Sequence, residues 1–160
     1  MGCGKTTLGI KLSKKLNYKF LDTDSVIERE EGMTVSEIFD QKGERYFREC
    51  EQKLIKELAN SNKCVISTGG GFPCFNNNML RLNEIGQTLY LKLSPNELVR
   101  RIQESKTDRP LIKVKSSEEL VTFIENLLEE RNPYYEMANE TLIGRQQRLN
   151  SVLELLSESL

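Results

Sequence analysis

Gly2, Gly4, Lys5 and Thr6 stand close together in the run MGCGKTT at the beginning of a 160-residue chain. Their types suit one task. Glycines let the backbone wrap a polyphosphate, a neighbouring lysine reaches its outer oxygens, and a threonine hydroxyl meets the magnesium that accompanies it. Cys3 and Thr7 belong to the same nucleotide-binding run. The plain alternative is a glycine turn ahead of a basic helix. Leu8, Leu12 and Leu16, with Ile10 beside them, recur at helical spacing, and a loop feeding a helix whose first amides face a phosphate is what the nucleotide reading requires. The full pattern, G-x-x-x-x-G-K-(S/T), also asks for a glycine five residues before Gly4 and a buried strand before that, both ahead of Met1.

Asp22 and Asp24 close the run YKFLDTD, two residues apart. If the strand continues through both, they share one side of it and can divide hydrated magnesium and a substrate hydroxyl between them. Otherwise they cap a turn and the next helix. Gly69, Gly70 and Gly71 follow the run CVIST. Three consecutive glycines cost much backbone entropy, and close approach of a substrate to the main chain explains them better than a turn does. Arg45, Arg48, Glu49 and Glu51 read by spacing as a solvated helix face. Arg109 in a polar segment and Arg131 before Asn132 and Pro133 suit surface charges or partners of a helix C-terminus, and equally suit guanidinium forks for a phosphate or carboxylate. Spacing leaves both open.

The apolar pattern supplies the frame for these residues. A helix over Thr6 to Leu16 precedes a short strand at 18–24, and a second helix starts at Val26 and is interrupted at Gly32. Thr34 and Glu37 form a capping box for the next helix, and Gly43 breaks the pattern before an amphipathic stretch from Glu44 to Ala59. CVIST at 64–68 is a buried strand, Met79 to Leu82 a helix or turn, and TLYLKL at 88–93 another strand. Ser94 caps and Pro95 opens a helix to about Gln103. Residues 104–117 read as a mobile polar loop, Glu118 to Glu130 as a helix that continues over Tyr134 to Ala138 beyond a break at Pro133, ETLI at 140–143 as a strand, and Arg148 to Leu156 as the closing helix. Alternating strands and helices predict an α/β fold with a parallel sheet covered on both faces. The length fits one domain spanning 1–160.

Composition narrows the function. With 23 basic and 24 acidic residues the charge nearly cancels, which excludes a general nucleic-acid or anionic-membrane surface. There is no histidine, and Cys3, Cys50, Cys64 and Cys74 form no C-x-x-C pair. A zinc site is therefore not expected, and the thiols indicate a reducing compartment. The chain shows no long apolar run and no signal-peptide pattern, so the expectation is a cytoplasmic protein.

Taken in order, GCGKTT, DTD, YFRECE, STGGG, DRPL and RNPYYEMA resemble the shikimate kinase family over essentially the whole chain. The resemblance implies transfer of the γ-phosphoryl group of ATP to the 3-hydroxyl of shikimate, a step towards chorismate and the aromatic amino acids. It also implies a three-layer α/β/α P-loop fold of nucleoside monophosphate kinase type, with a five-stranded parallel sheet, and a monomeric protein. On it, Lys5 is the phosphate-loop lysine, Thr6 the magnesium-binding hydroxyl and Asp22 the acid that holds the metal through water. Asp24 binds and orients or deprotonates the attacking hydroxyl. Arg48 and Arg131 grip the shikimate carboxylate, with Gly70 and Gly71 adding main-chain contacts. Arg109 is the lid arginine over the phosphates, within a lid of about 104–117, and Arg145 falls near the adenine-contacting segment. The acceptor region covers about 24–59.

Two departures stand out. Ile10 occupies a position where the family often has arginine, without functional consequence. The second concerns the family's first strand, which lies in the middle of the sheet and is expected about ten residues upstream of Met1. Its loss would leave two inner sheet edges unpaired, so the expected true start lies upstream. The alternatives are a gluconate or nucleoside monophosphate kinase, and a degenerate or truncated kinase domain with a binding role.

Overall fold

The computed structural model describes residues 2–104, 116–144 and 147–158. Arg109, most of the predicted lid and Arg145 lie outside the described residues. Helix α1 (Lys5–Leu16) leads to strand β1 (Lys19–Asp22), α2 (Thr23–Glu31), α3 (Val35–Leu58) and β2 (Cys64–Ser67). A single 3-10 turn (Phe72–Cys74) follows, then α4 (Asn78–Ile85), β3 (Leu89–Lys92), α5 (Pro95–Glu104), α6 (Ser117–Tyr135), β4 (Glu140–Ile143) and α7 (Leu149–Glu158). No helix among the described residues is long and apolar enough to cross a membrane.

The strands form two parallel pairs. β1 lies beside β2 in the register Lys19–Cys64 to Asp22–Ser67, and β3 beside β4 from Leu89–Glu140 to Lys92–Ile143. Among the described residues the two pairs are not hydrogen-bonded to each other. The described buried apolar residues form three clusters, and β2 packs against two of them through Ile66 and Val65. Ile27, Ile38, Phe47, Leu54, Ile55, Phe72 and their neighbours pack α2, α3, the 3-10 turn and α4 together. Leu98, Ile102, Leu120 and Ile124 join α5 to α6, while Leu12, Leu91, Leu142 and Val152 join α1 and α7 to β3 and β4.

Local sequence explains most boundaries. Thr34 accepts a bond from the Glu37 amide at 3.2 Å while the Glu37 carboxylate accepts from the Thr34 amide at 2.7 Å, which is the predicted capping box. Ser94 and Glu97 do the same for α5. Gly43 (φ 82°, ψ 166°) leaves helical geometry, so α3 is two helical segments meeting at a kink there, which is the predicted break. α6 runs through Pro133 to Tyr135, so the predicted break is absent, although the proline has no amide to donate. The first strand is shorter than expected. It stops at Asp22, whose carboxylate accepts from the Ser25 amide at 3.4 Å and caps α2, so the helix begins at Thr23 rather than at Val26.

Candidate active site

Backbone conformation builds the phosphate end. Gly2 (φ 72°) and Gly4 (φ 91°) both occupy the left-handed region that favours glycine, and Gly4 enters α1 without any side-chain cap. The first-turn amides of α1 therefore keep their donors for an outside anion, at the positive end of the helix dipole. Lys5 Nζ lies 3.6 Å from Cys3 Sγ, folded back over the loop, and Thr6 and Thr7 are exposed beside it. Arg101, from α5, donates to the Cys3 carbonyl at 3.2 Å and fastens the loop from the other side.

The acid end departs from the simple expectation of two aspartates on one strand. Asp22 ends β1, whereas Asp24 sits in the first turn of α2. The turn still brings Asp24 into the site. Thr23 Oγ1 accepts from the Gly69 amide at 2.8 Å and locks the end of β1 to the glycine run after β2. A Cβ on Gly69 would collide with the Asp24 carboxylate. Burial, with the Asp22 charge next, pushes the Asp24 carboxyl above its usual range, while Lys5 and Arg48 pull it down.

Across from these carboxylates stand two guanidinium groups. Arg48 donates to Glu51 at 2.9 and 3.0 Å and to Glu44 at 2.8 and 3.2 Å, and its guanidinium lies 3.8 Å from the centre of the Phe75 ring. Glu51 is 1% exposed, and burial raises its pKa against the pull of Arg48. Arg131 approaches from α6, four residues before Tyr135 and so on the same helix face. The Tyr135 hydroxyl donates to the Gly70 carbonyl at 2.6 Å; burial raises its pKa and keeps it a donor. A Cβ on Gly70 would stand 3.1 Å from Arg131 Nη1, and one on Gly71 2.9 Å from both terminal nitrogens of Arg48. The glycine run thus lets the Asp24 carboxylate and the ends of both guanidinium groups lie close to the main chain.

Lys5, Asp24, Arg48, Gly70, Gly71 and Arg131 are thus gathered around one site. A family model described as shikimate kinase matches residues 1–160. The chain belongs to the shikimate kinase family. It is 42% identical to the shikimate kinase of Parabacteroides distasonis over 160 residues, covering all of this chain and 92% of that protein. It is 45% identical over 138 residues to the one from Bacteroides thetaiotaomicron, covering 86% of this chain and 79% of that one. The crystal structure of shikimate kinase from Bacteroides thetaiotaomicron superposes with a TM-score of 0.90 at 41% identity, covering 99% of this chain and 93% of that chain. Shikimate kinase from Acinetobacter baumannii, solved in complex with shikimate, gives 0.84 at 34% identity, with 99% and 89% covered. The fold is accordingly that of the P-loop kinases with a parallel sheet.

Four side chains that shape this site were not singled out as binding residues from the sequence: Glu51, Phe75, Arg101 and Tyr135. Glu51 carried a signal, because it follows Arg48 by three residues on a helix. Phe75 and Arg101 carried none; each meets its partner only through the fold. No group of three or more His, Cys, Asp or Glu among the described residues is arranged to hold a metal. A magnesium ion would have to arrive with nucleotide phosphates and keep most of its water, which suits the exposed Thr6 hydroxyl and the partly buried Asp22.

Proposed function

We propose that this chain transfers the γ-phosphoryl group of ATP to the 3-hydroxyl of shikimate, as a monomeric, cytoplasmic enzyme of one domain. The observation that carries the reading is the pair Arg48 and Arg131, both against the Gly70–Gly71 main chain and opposite Asp24. A compact acid bearing hydroxyls fits this arrangement, with its carboxylate between two cationic forks and a hydroxyl at the aspartate.

In this scheme the Gly2–Gly4 loop and the α1 amides hold the phosphates, with Cys3 and Thr7 in the same cradle, and Lys5 compensates charge on the transferring group. Asp24 accepts the proton of the 3-hydroxyl. The oxygen–phosphorus bond forms as the bond to the β-phosphate oxygen breaks, and ADP leaves. Burial raises the Asp24 pKa, which brings its basicity closer to a working pH than that of an ordinary aspartate. Thr6 and, through water, Asp22 would hold magnesium, which would supply charge neutralisation at the phosphates. The family resemblance assigns Arg109 to the lid over the phosphates and Arg145 to the adenine-contacting segment, and both lie outside the described residues.

Steady-state assays with ATP and shikimate, gluconate or nucleoside monophosphates test the acceptor. Shikimate should be preferred by a wide margin, and clear preference for either alternative would overturn the assignment.

A further inference from the structure

Three asparagines follow Phe75, and each has its own task. Asn76 (φ 54°) and Asn77 (φ 58°) take the left-handed conformation that asparagine tolerates better than most residues, and they turn the chain at the surface. Asn78 opens α4 and is 0% exposed. A side-chain amide buried this deeply must have its hydrogen bonds made inside the protein. Asn78 Nδ2 donates to the Phe72 carbonyl at 2.9 Å, and Asn78 Oδ1 accepts from Gln52 Nε2. Gln52 Oε1 in turn accepts from Arg81 at 3.0 Å.

The polarity of this relay is fixed at both ends. A guanidinium only donates and a main-chain carbonyl only accepts, so Gln52 and Asn78 each have one orientation that satisfies the whole series. What the relay holds is the turn Phe72–Cys74. The Phe72 side chain is buried in the core with Ile38 and Phe47. The Asn78 amide also donates to the Phe75 carbonyl at 2.9 Å, so Asn78 grips this segment at both ends. The residues flanking the turn are the ones that enclose Arg48. Gly71 precedes it, where a Cβ would stand 2.9 Å from both terminal nitrogens of the guanidinium, and Phe75 follows it, with its ring centre 3.8 Å from the same group. Gln52 lies four residues after Arg48 on α3, hence on the same face one turn further on. The helix that delivers the guanidinium therefore also holds, through one amide pair, the segment against which it rests.

We infer that Asn78 and Gln52 are positioning residues for recognition of the acceptor carboxylate. They act through Arg48: the relay sets the width of the slot between the Gly71 main chain and the Phe75 ring, and so the direction in which the guanidinium fork points. Glu44 and Glu51 also hold Arg48, but both ride on the helix that carries it, whereas the relay ties that helix to the glycine run across the site. Apolar packing alone would let the two segments slide past each other; a fully satisfied, one-way pair of amides fixes their register. The role in carboxylate recognition rests on the proposed function, in which Arg48 is one of the two forks. The geometry of the slot does not.

Asn78→Leu tests it, because the change keeps the size of the side chain, adds no charge and leaves the Phe72 carbonyl without its donor. Shikimate affinity, measured by calorimetry without nucleotide, should fall by about 5- to 30-fold, the range for a buried hydrogen bond left unmade. The KM for shikimate should rise with it, while kcat and the KM for ATP stay within a factor of about two. Gln52→Met, on a half-buried side chain of similar length, removes the donor to Asn78 and should act in the same direction even if the first variant folds poorly. Nuclear magnetic resonance of the Arg48 Nε–H group gives a readout free of substrate. The Phe75 ring displaces its proton resonance, which is identified by its loss in Arg48→Lys, and both relay variants should move it towards its position in Phe75→Leu. A merely structural role would lower the unfolding midpoint and leave that resonance and the ratio of the two KM values unchanged, which would overturn the inference, as would equal weakening of both substrates. If the wild-type chain does not bind shikimate, the functional reading fails, and the Arg48 resonance decides the inference by itself: moved in both variants it stands, unmoved it falls.

Discussion

The acceptor end and the nucleotide end of this site are built from different materials. Around Arg48 and Arg131 the work is done by side chains locked by other side chains: Glu51 and Glu44 hold Arg48, Phe75 stacks on it, and Tyr135 anchors the glycine run. At the phosphate end the chemistry lies in the main chain, in two left-handed glycines and an uncapped helix start. The acceptor end also rests on a closed core centred on Phe47 and Phe72, whereas the phosphate end sits at the mouth of a cavity between the strand pairs. On the proposed function, side chains of distinctive type carry acceptor specificity and a backbone cradle carries the nucleotide. The two ends should therefore fail differently.

The largest separation is expected from Lys5→Met. Losing one positioned charge at the transferring group should lower kcat by about 100- to 1,000-fold, while shikimate binding, measured by calorimetry without nucleotide, stays within a factor of two or so of wild type. A comparable loss in shikimate affinity would mean that the two ends are not separable.

Arg131→Ala should show the reverse pattern. A charge-assisted pair is worth about 1.5–3 kcal/mol, so the KM for shikimate should rise by about 10- to 150-fold with the KM for ATP little changed. Equal loss for both substrates would argue against a carboxylate clamp.

Asp24→Asn should give the smallest effect on folding, and a diagnostic one. The folded-state pKa of Asp24 is raised, chiefly by burial, so its ionisation costs the folded protein stability once the pH exceeds the ordinary aspartate value of about 3.9. The variant should therefore be more stable than wild type at pH 7. That advantage should shrink as the pH falls through the raised pKa and vanish below about 4, which thermal unfolding across pH can follow. Phosphoryl transfer should be lost at every pH, and a variant less stable at neutral pH would show that the Asp24 charge is held by Lys5 and Arg48 more strongly than burial opposes it.

How much could be read in advance follows the same division. The capping box at Thr34, the cap at Ser94, the strands near CVIS, LYLK and ETLI, and the glycine-lysine run are local features, so the chain carried them openly. The end of β1 was misplaced because Asp22 can extend a strand or cap a helix, and only the packing of α2 on α3 decides between them. Pro133 misled in the other direction, since α6 continues through it to Tyr135.

Residue type and order carried the phosphate loop, the two aspartates and the three glycines, while the arginines took their expected roles only from the resemblance to the shikimate kinase family. Periodicity determined the α/β class. Tertiary structure alone decided that Arg48 is held by Glu51 and stacked on Phe75, that the three glycines lie against Asp24, Arg131 and Arg48, and that the described strands divide into two pairs around a cavity. The physical reason is range. Caps, turns and periodicity act within a few residues, whereas a strand edge or an ion pair is satisfied by whatever part of the chain the fold brings to it.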